Sequence, residues 1–157
     1  MKYVFGILFF VVAVNGSAVE AKDYDWMFLS SSLAIDDIYI APSTLRKVKQ
    51  QGEDLRSILT LRQLNEKQKQ RAKSSAKIFE GCADCEISYN ATEWERSTLV
   101  NYLFNCTRKH VAEIQEAEYT KPWAKGERVN YTENQPEWMD ARLFDALIPK
   151  LYRYVCG

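Results

Sequence analysis

Four side chains in this sequence have the types and spacing for chemistry: Cys82, Cys85, Cys106 and His110. The run Cys82-Ala-Asp-Cys85 has the form of a thiol redox pair, and Cys106-x3-His110 adds two further ligand types at the spacing of a zinc site. Redox chemistry needs the first thiol near a helix N-terminus or positive charge, which favours the thiolate. Here the pair follows the expected end of a helix at Gly81, where the dipole is negative, and Asp84 and Glu86 add more negative charge. Zinc needs reduced thiols, and it would leave Cys156 without a role. In an oxidising compartment all four cysteines are expected in two disulfides. A Cys82–Cys85 bridge would close a tiny loop and constrain little. The expectation is therefore that one of this pair joins Cys106 and the other Cys156, in either order.

That compartment is read from the N-terminus. Lys2 is followed by twelve apolar residues, Tyr3 to Val14, and then by small residues. This is the layout of a secretory signal peptide, residues 1–18, with cleavage expected between 16 and 21. A membrane span needs about 20 apolar residues, and no stretch supplies them. The remaining 19–157 is long enough to bury a core and is expected to be one domain, secreted and extracellular. Sequons at Asn90, Asn105 and Asn130 fit the same route, with Asn90 and Asn130 in polar loops and Asn105 the less accessible.

The periodicity reads as helical throughout. Trp26, Leu29 and Leu33 share one face, and Ala41-Pro42 ends that segment. Leu45, Val48, Leu55 and Leu59 follow at three-four spacing. Asn65-x-x-Gln68 and Thr92-x-x-Glu95 resemble capping boxes. The second of these is expected to open a helix to about Glu118, with Leu99, Leu103, Cys106, His110 and Ile114 in one stripe. A polar loop spans 119–135; a last helix is expected to open at Pro136, to carry Trp138, Met139, Leu143, Leu147 and Ile148, and to kink or restart at Pro149 before Leu151, Tyr152, Val155 and Cys156. The expected fold class is all-α, a bundle of about five helices stapled by two disulfides.

Charge is balanced overall but uneven along the chain. Between Arg46 and Lys77 lie ten basic residues and three acids: Arg46, Lys47, Lys49, Arg56, Arg62, Lys67, Lys69, Arg71, Lys73 and Lys77 against Glu53, Asp54 and Glu66. On one helix face these cations would attract an anionic partner; otherwise they form a solvated face. The other partner class is a small apolar ligand in the bundle core, with Trp26, Trp94, Phe104, Trp138 and Tyr152 as lining.

Catalytic constellations are missing from the sequence. One histidine, no G-x-S-x-G, no H-E-x-x-H and no phosphate-binding glycine loop leave no recognisable reaction centre. The chain reads as a non-enzymatic binding protein with no cofactor, no metal, no nucleic-acid partner and no membrane span. Its expected partner is an extracellular protein or polyanion, such as a host-defence or clotting factor. In the MKYVFGILFF leader, the CADC pair, Cys106 and Cys156, the sequence resembles the small helical, disulfide-stapled proteins that arthropods secrete. Odorant-binding proteins imply an apolar ligand; they typically carry six cysteines, whereas this chain has four. Mosquito salivary helical complement inhibitors imply a host protease complex. The resemblance is one of general design and transfers no site residue.

Overall fold

The computed structural model describes residues 23–31, 36–50, 52–67, 69–70, 96–143 and 147–157. The leader, Cys82, Cys85, Asn90, Trp94 and the second capping box lie outside them. Among the described residues the architecture is an antiparallel β-sheet carrying a C-terminal helix, which overturns the expected five-helix bundle. The strands are β1 (Met27–Ser31), β2 (Asp36–Ile40), β3 (Arg46–Gln50), β4 (Glu53–Leu64), β5 (Ser97–Asn105), β6 (His110–Lys121), β7 (Lys125–Glu133) and β8 (Met139–Asp140), and the helix α1 is Leu147–Cys156. They run in the order β1-β2-β4-β5-β6-β7. Along β4, β2 pairs one half and β3 the other. Likewise β6 pairs with β7 and, at its start, with β8.

The interruption between β2 and β3 is a 3-10 turn at Pro42–Thr44. Ala41 N–H still reaches Leu59 O at 3.0 Å, and the Thr44 hydroxyl accepts Leu59 N–H at 3.0 Å. One side-chain oxygen thus stands in for a missing ladder carbonyl, so β4 loses no buried donor.

Both faces of the sheet are apolar at its centre, which explains the misleading periodicity. On one face Ile40, Ile58, Val100, Phe104 and Val111 pack under Ile148, Leu151 and Val155 of α1. On the other, Leu59, Leu61, Leu99, Ala117 and Tyr119 lie with Tyr24, Trp26, Tyr39 and Tyr131. In β4 the residues Ile58, Leu59, Thr60 and Leu61 are buried consecutively, so the two-residue alternation of a half-buried strand is erased. The expected stripe from Leu99 to Ile114 is divided among β5, a turn at 106–109 and β6. Of the expected last helix only 147–156 forms, with Pro149 in its first turn and Ile148, Leu151 and Val155 at helical spacing toward the sheet; the expected start at Pro136 does not, and Met139–Asp140 is strand β8. Asn65 O also accepts Lys69 N–H at 3.0 Å, so one helical turn follows β4 where a capping box is read.

The helix is fastened at its C-terminal end. Cys106 bonds Cys156, with their Cα atoms 5.4 Å apart. This corrects the expected connectivity, in which each would take a partner from the CADC pair, and it removes Cys106 from any zinc site. Tyr152 Oη–H donates to Cys106 O at 2.9 Å. Arg56 donates from Nη1 to Val155 O at 2.6 Å and grips the Asp54 carboxylate with Nε and Nη2. A cation on the last helical carbonyls complements the helix dipole. At the edge strand β1, Lys150 Nζ donates to Ser30 Oγ at 2.7 Å.

Candidate binding surface

Between β6 and β7 the sequence is Lys121-Pro-Trp-Ala-Lys125-Gly126. Pro122 opens a 3-10 turn of three residues. Trp123 sits at φ 62°, ψ 33° and Ala124 at φ 53°, both in the left-handed region. Such a conformation costs about 1–2 kcal/mol for a residue with a Cβ, and it persists only where neighbours hold it. Here the buried side chains do so. Trp123 N–H donates to Gln63 Oε1 at 3.1 Å, and Ala124 N–H donates to Ser97 Oγ at 2.9 Å. The Ser97 hydroxyl in turn donates to Lys121 O at 2.6 Å. Gly126 completes the tip at φ 79°, where a Cβ would collide with the Thr120 hydroxyl and press on the Lys121 side chain.

This turn delivers an indole to the surface. Trp123 remains 39% exposed, with its ring centre 4.7 Å from that of Tyr39. Phe28 continues the row, 5.7 Å from Tyr39, edge-on and 56% exposed. Beside the rings, Lys121 and Lys125 are direct cross-strand partners. Both are exposed, and neither forms an ion pair among the described residues. Like charges directly opposite each other destabilise a ladder. The 121–128 segment holds three cations and one acid, the third cation being Arg128 over the Tyr131 ring at 5.0 Å.

A second polar region lies on the helix-bearing face beyond α1, where Asp36, Arg62, Arg96, Thr98 and Glu116 line an open recess of about 280 Å³. Arg62 approaches Glu113 at 3.7 Å, and Tyr102 Oη–H donates to Glu113 at 2.9 Å. Burial raises the Asp36 carboxyl, with Arg62 opposing, and raises the Tyr102 phenol well above its ordinary value. Carboxylates and arginines are interleaved here, so the region balances its own charge.

The basic run is dispersed by the fold. Arg46 and Lys47 are exposed on β3, and as neighbours on a strand they point to opposite faces. Lys49 lies on the same strand. Arg56 is committed to Asp54 and the helix end, Arg62 faces Glu113, and Lys69 pairs with Glu66 at 2.8 Å. Lys67 is exposed, and Arg71, Lys73 and Lys77 lie outside the described residues. The described members do not share one face, because a run counted along sequence becomes alternating on strands.

The proposed ligand lining is dispersed too. Phe104 of β5 packs against Tyr152 of α1, Trp26 is on the opposite face, and Trp138 is exposed in the 134–138 stretch. Of the sequons, Asn130 is exposed on β7, whereas Asn105 is only 3% exposed. Its Nδ2, the atom a glycan would need, donates to Glu53. The folded chain thus corrects the reading of Asn105 as an acceptor. Among the described residues no group of histidine, cysteine, aspartate and glutamate could hold a metal, and no helix is long and apolar enough to cross a membrane.

Sequence reasoning missed the tip because Trp123 was read as part of a polar loop. Its signals were Pro122 and Gly126 bracketing a tryptophan between two lysines.

Comparison with known proteins replaces the arthropod resemblance. No curated protein matches the sequence. Among solved structures, crystal form II of Haemophilus influenzae protein E is similar, with a TM-score of 0.52 at 13% identity over 83% of this chain and 86% of that one. A selenomethionine form of Haemophilus influenzae protein E gives a TM-score of 0.49 at 12% identity over 85% and 95% of the two chains. The first of these likenesses is one of fold. The family described as surface-adhesin protein E matches residues 26–157. A chain so matched acts by binding at a surface, outside the cell or on it, and not by catalysis. The chain belongs to the surface-adhesin protein E family.

Proposed function

We propose that this adhesin holds an extracellular macromolecule through the Trp123 tip and the adjoining Tyr39 and Phe28 rings. One observation carries the reading: two consecutive non-glycine residues are held at positive φ by buried side chains, and the result is an exposed indole. Core packing gains little from a tryptophan left 39% in water. Binding gains more, since tryptophan, tyrosine and arginine dominate interface energetics. A secretory leader and the Cys106–Cys156 bond support an extracellular setting. Since that bond leaves Cys82 and Cys85 only each other, the reading includes a second disulfide between them. Glycans at Asn90 and Asn130 also belong to this reading and to no observation beyond the sequons.

The test is adhesion of the purified, oxidised protein to wells coated with an extracellular-matrix extract, against wells coated with albumin. Trp123→Ala is expected to weaken adhesion by about tenfold, the loss of one aromatic anchor. Equal adhesion to both coats would overturn the reading, as would undiminished adhesion of the variant.

A further inference from the structure

We infer that the β6–β7 tip is a subsite for an acidic polysaccharide. A pyranose ring lies on the Trp123 indole, and its carboxylate or sulfate is held by Lys121 and Lys125. This rests on the adhesin reading and names the partner chemistry of the same surface.

Three features of the tip are each unfavourable to the isolated fold, and one ligand would make use of all of them. The first is the left-handed backbone at Trp123 and Ala124. The second is the exposed indole, braced by Tyr39 on one side. A flat π face carries negative potential, which suits the C–H groups on the face of a sugar ring. The third is the cross-strand pairing of Lys121 with Lys125, two cations that no acid neutralises among the described residues. An anion placed between them turns a repulsion into two charge-assisted hydrogen bonds.

Spacing supports the pairing of anion and ring. Directly opposed residues on antiparallel strands lie about 4.5–5.5 Å apart, so both ammonium groups reach one carboxylate or sulfate. Strand alternation places Lys121 on the face of Tyr119, which is also the face of Tyr39 toward which Trp123 turns. The Lys121 stem lies over Gly126, which fixes its direction at the tip. Arg128, on the following strand, offers a third cation for a chain of repeating acidic sugars.

A lipid surface fits less well. Insertion requires aromatic groups that reach about 5–10 Å into the headgroup boundary. Here the indole is packed on Tyr39 and that ring on Phe28, so the row lies against the sheet.

The test uses the full oxidised chain and immobilised heparin oligosaccharides, with neutral dextran as the control. Wild type is expected to bind heparin and not dextran, with binding that weakens steeply as salt rises. Lys121→Glu with Lys125→Glu should lower heparin affinity by roughly tenfold or more, the loss of two charge-assisted contacts. Arg46→Glu with Lys47→Glu, on β3, should change it less than twofold, as expected of cations outside the subsite. Trp123→Ala should lower affinity while leaving the salt slope as it was. Should that variant fail to fold, the lysine pair, which is exposed, still decides.

The inference is overturned if the double lysine variant binds heparin like wild type, or if the β3 variant loses as much. It is also overturned if poly-glutamate or phosphatidylglycerol vesicles compete better than heparin itself. Adhesion to matrix extract separates the two levels. Wild type that adheres but ignores heparin sinks the polysaccharide and spares the adhesin; wild type that does not adhere sinks both.

Discussion

Strand β6 begins and ends in opposite circumstances. At its start, the 106–109 turn is tied to the rest of the molecule by the Cys106–Cys156 bond, by Tyr152 on Cys106 O and by Glu53, which takes both Asn105 and Arg108. At its far end, the 121–126 tip is held by Gln63, Ser97 and the Tyr39 ring, and it sends Trp123, Lys121 and Lys125 outward. Both turns contain a non-glycine residue at positive φ, Lys109 at 60° and Trp123 at 62°. The same backbone strain therefore serves two ends: at one it closes a turn within a fastened corner, and at the other it presents a side chain. Strain alone does not mark a functional site. Strain that exposes an aromatic ring does.

The largest effect is expected at the fastened end. Cys106→Ser with Cys156→Ser should lower stability by about 2–4 kcal/mol, read by urea unfolding. α1 should then become the least protected element in hydrogen exchange. If exchange loosens the 122–126 turn as much as α1, the two ends are not independent and the comparison breaks. A thiol count on the unfolded, unreduced wild type should find none. Two thiols would mean that Cys82 and Cys85 do not pair.

Arg56→Ala comes next. Its guanidinium serves Asp54 and the carbonyl of Val155 at once, so removal should cost about 1.5–3 kcal/mol, the range for hydrogen bonds to charged groups. A cost near zero would show that the disulfide alone holds α1.

Acid should act on the same end. Arg56 holds the Asp54 carboxyl below its ordinary value, and Arg142 does the same for Asp140, opposite His110. A carboxylate whose folded pKa is depressed stabilises the fold above its ordinary value. That contribution is lost as pH falls below about 4. Urea midpoints should therefore drop between about pH 5 and pH 3, and Asp54→Asn with Asp140→Asn should flatten the drop. Heparin retention, set at the other end of β6, should not follow the same curve.

What the sequence disclosed, and what it hid, follows from the same geometry. The 147–156 part of the expected last helix was legible because only one of its faces is buried, and Ile148, Leu151 and Val155 record that face; its expected start at Pro136 was not, since Met139–Asp140 pairs with β6. One helical turn follows Asn65, where the sequence reads a helix opening, and the expected continuation to Glu80 lies outside the described residues. β4 and β5 were not legible, because apolar residues occupy both of their faces. Leu55 and Leu59 then mimic a helical repeat while Ile58 and Leu61 are equally buried. The composition of 98–104, Thr-Leu-Val-Asn-Tyr-Leu-Phe, is rich in β-branched and aromatic residues, and that signal should have outweighed spacing. The cysteine pairing was hidden because it depends on α1 folding back over β5, a contact between residues 50 apart. The basic run misled for a related reason. Its charges were summed along a segment, whereas a strand sends neighbours to opposite faces, so the cations that matter are two residues outside it, brought together by register.

The smallest effect is the most discriminating. Lys109→Gly keeps the carbonyl that accepts Ala141 N–H and relieves a left-handed backbone at an exposed position. It should raise stability by about 0.5–1 kcal/mol and leave heparin retention unchanged. Trp123→Gly relieves the same kind of strain but also removes the ring on Tyr39. Its stability should stay within about 1 kcal/mol of wild type, since a compatible glycine relieves about what a half-exposed ring contact is worth, while retention on heparin collapses. A loss of about 3 kcal/mol or more is what removal of a fully packed tryptophan costs. Trp123 would then be a prop of the core, and its exposure would be incidental. Both ends of β6 would in that case be fastened corners of one scaffold, and the binding surface would have to be sought on a face of the sheet rather than at its tip.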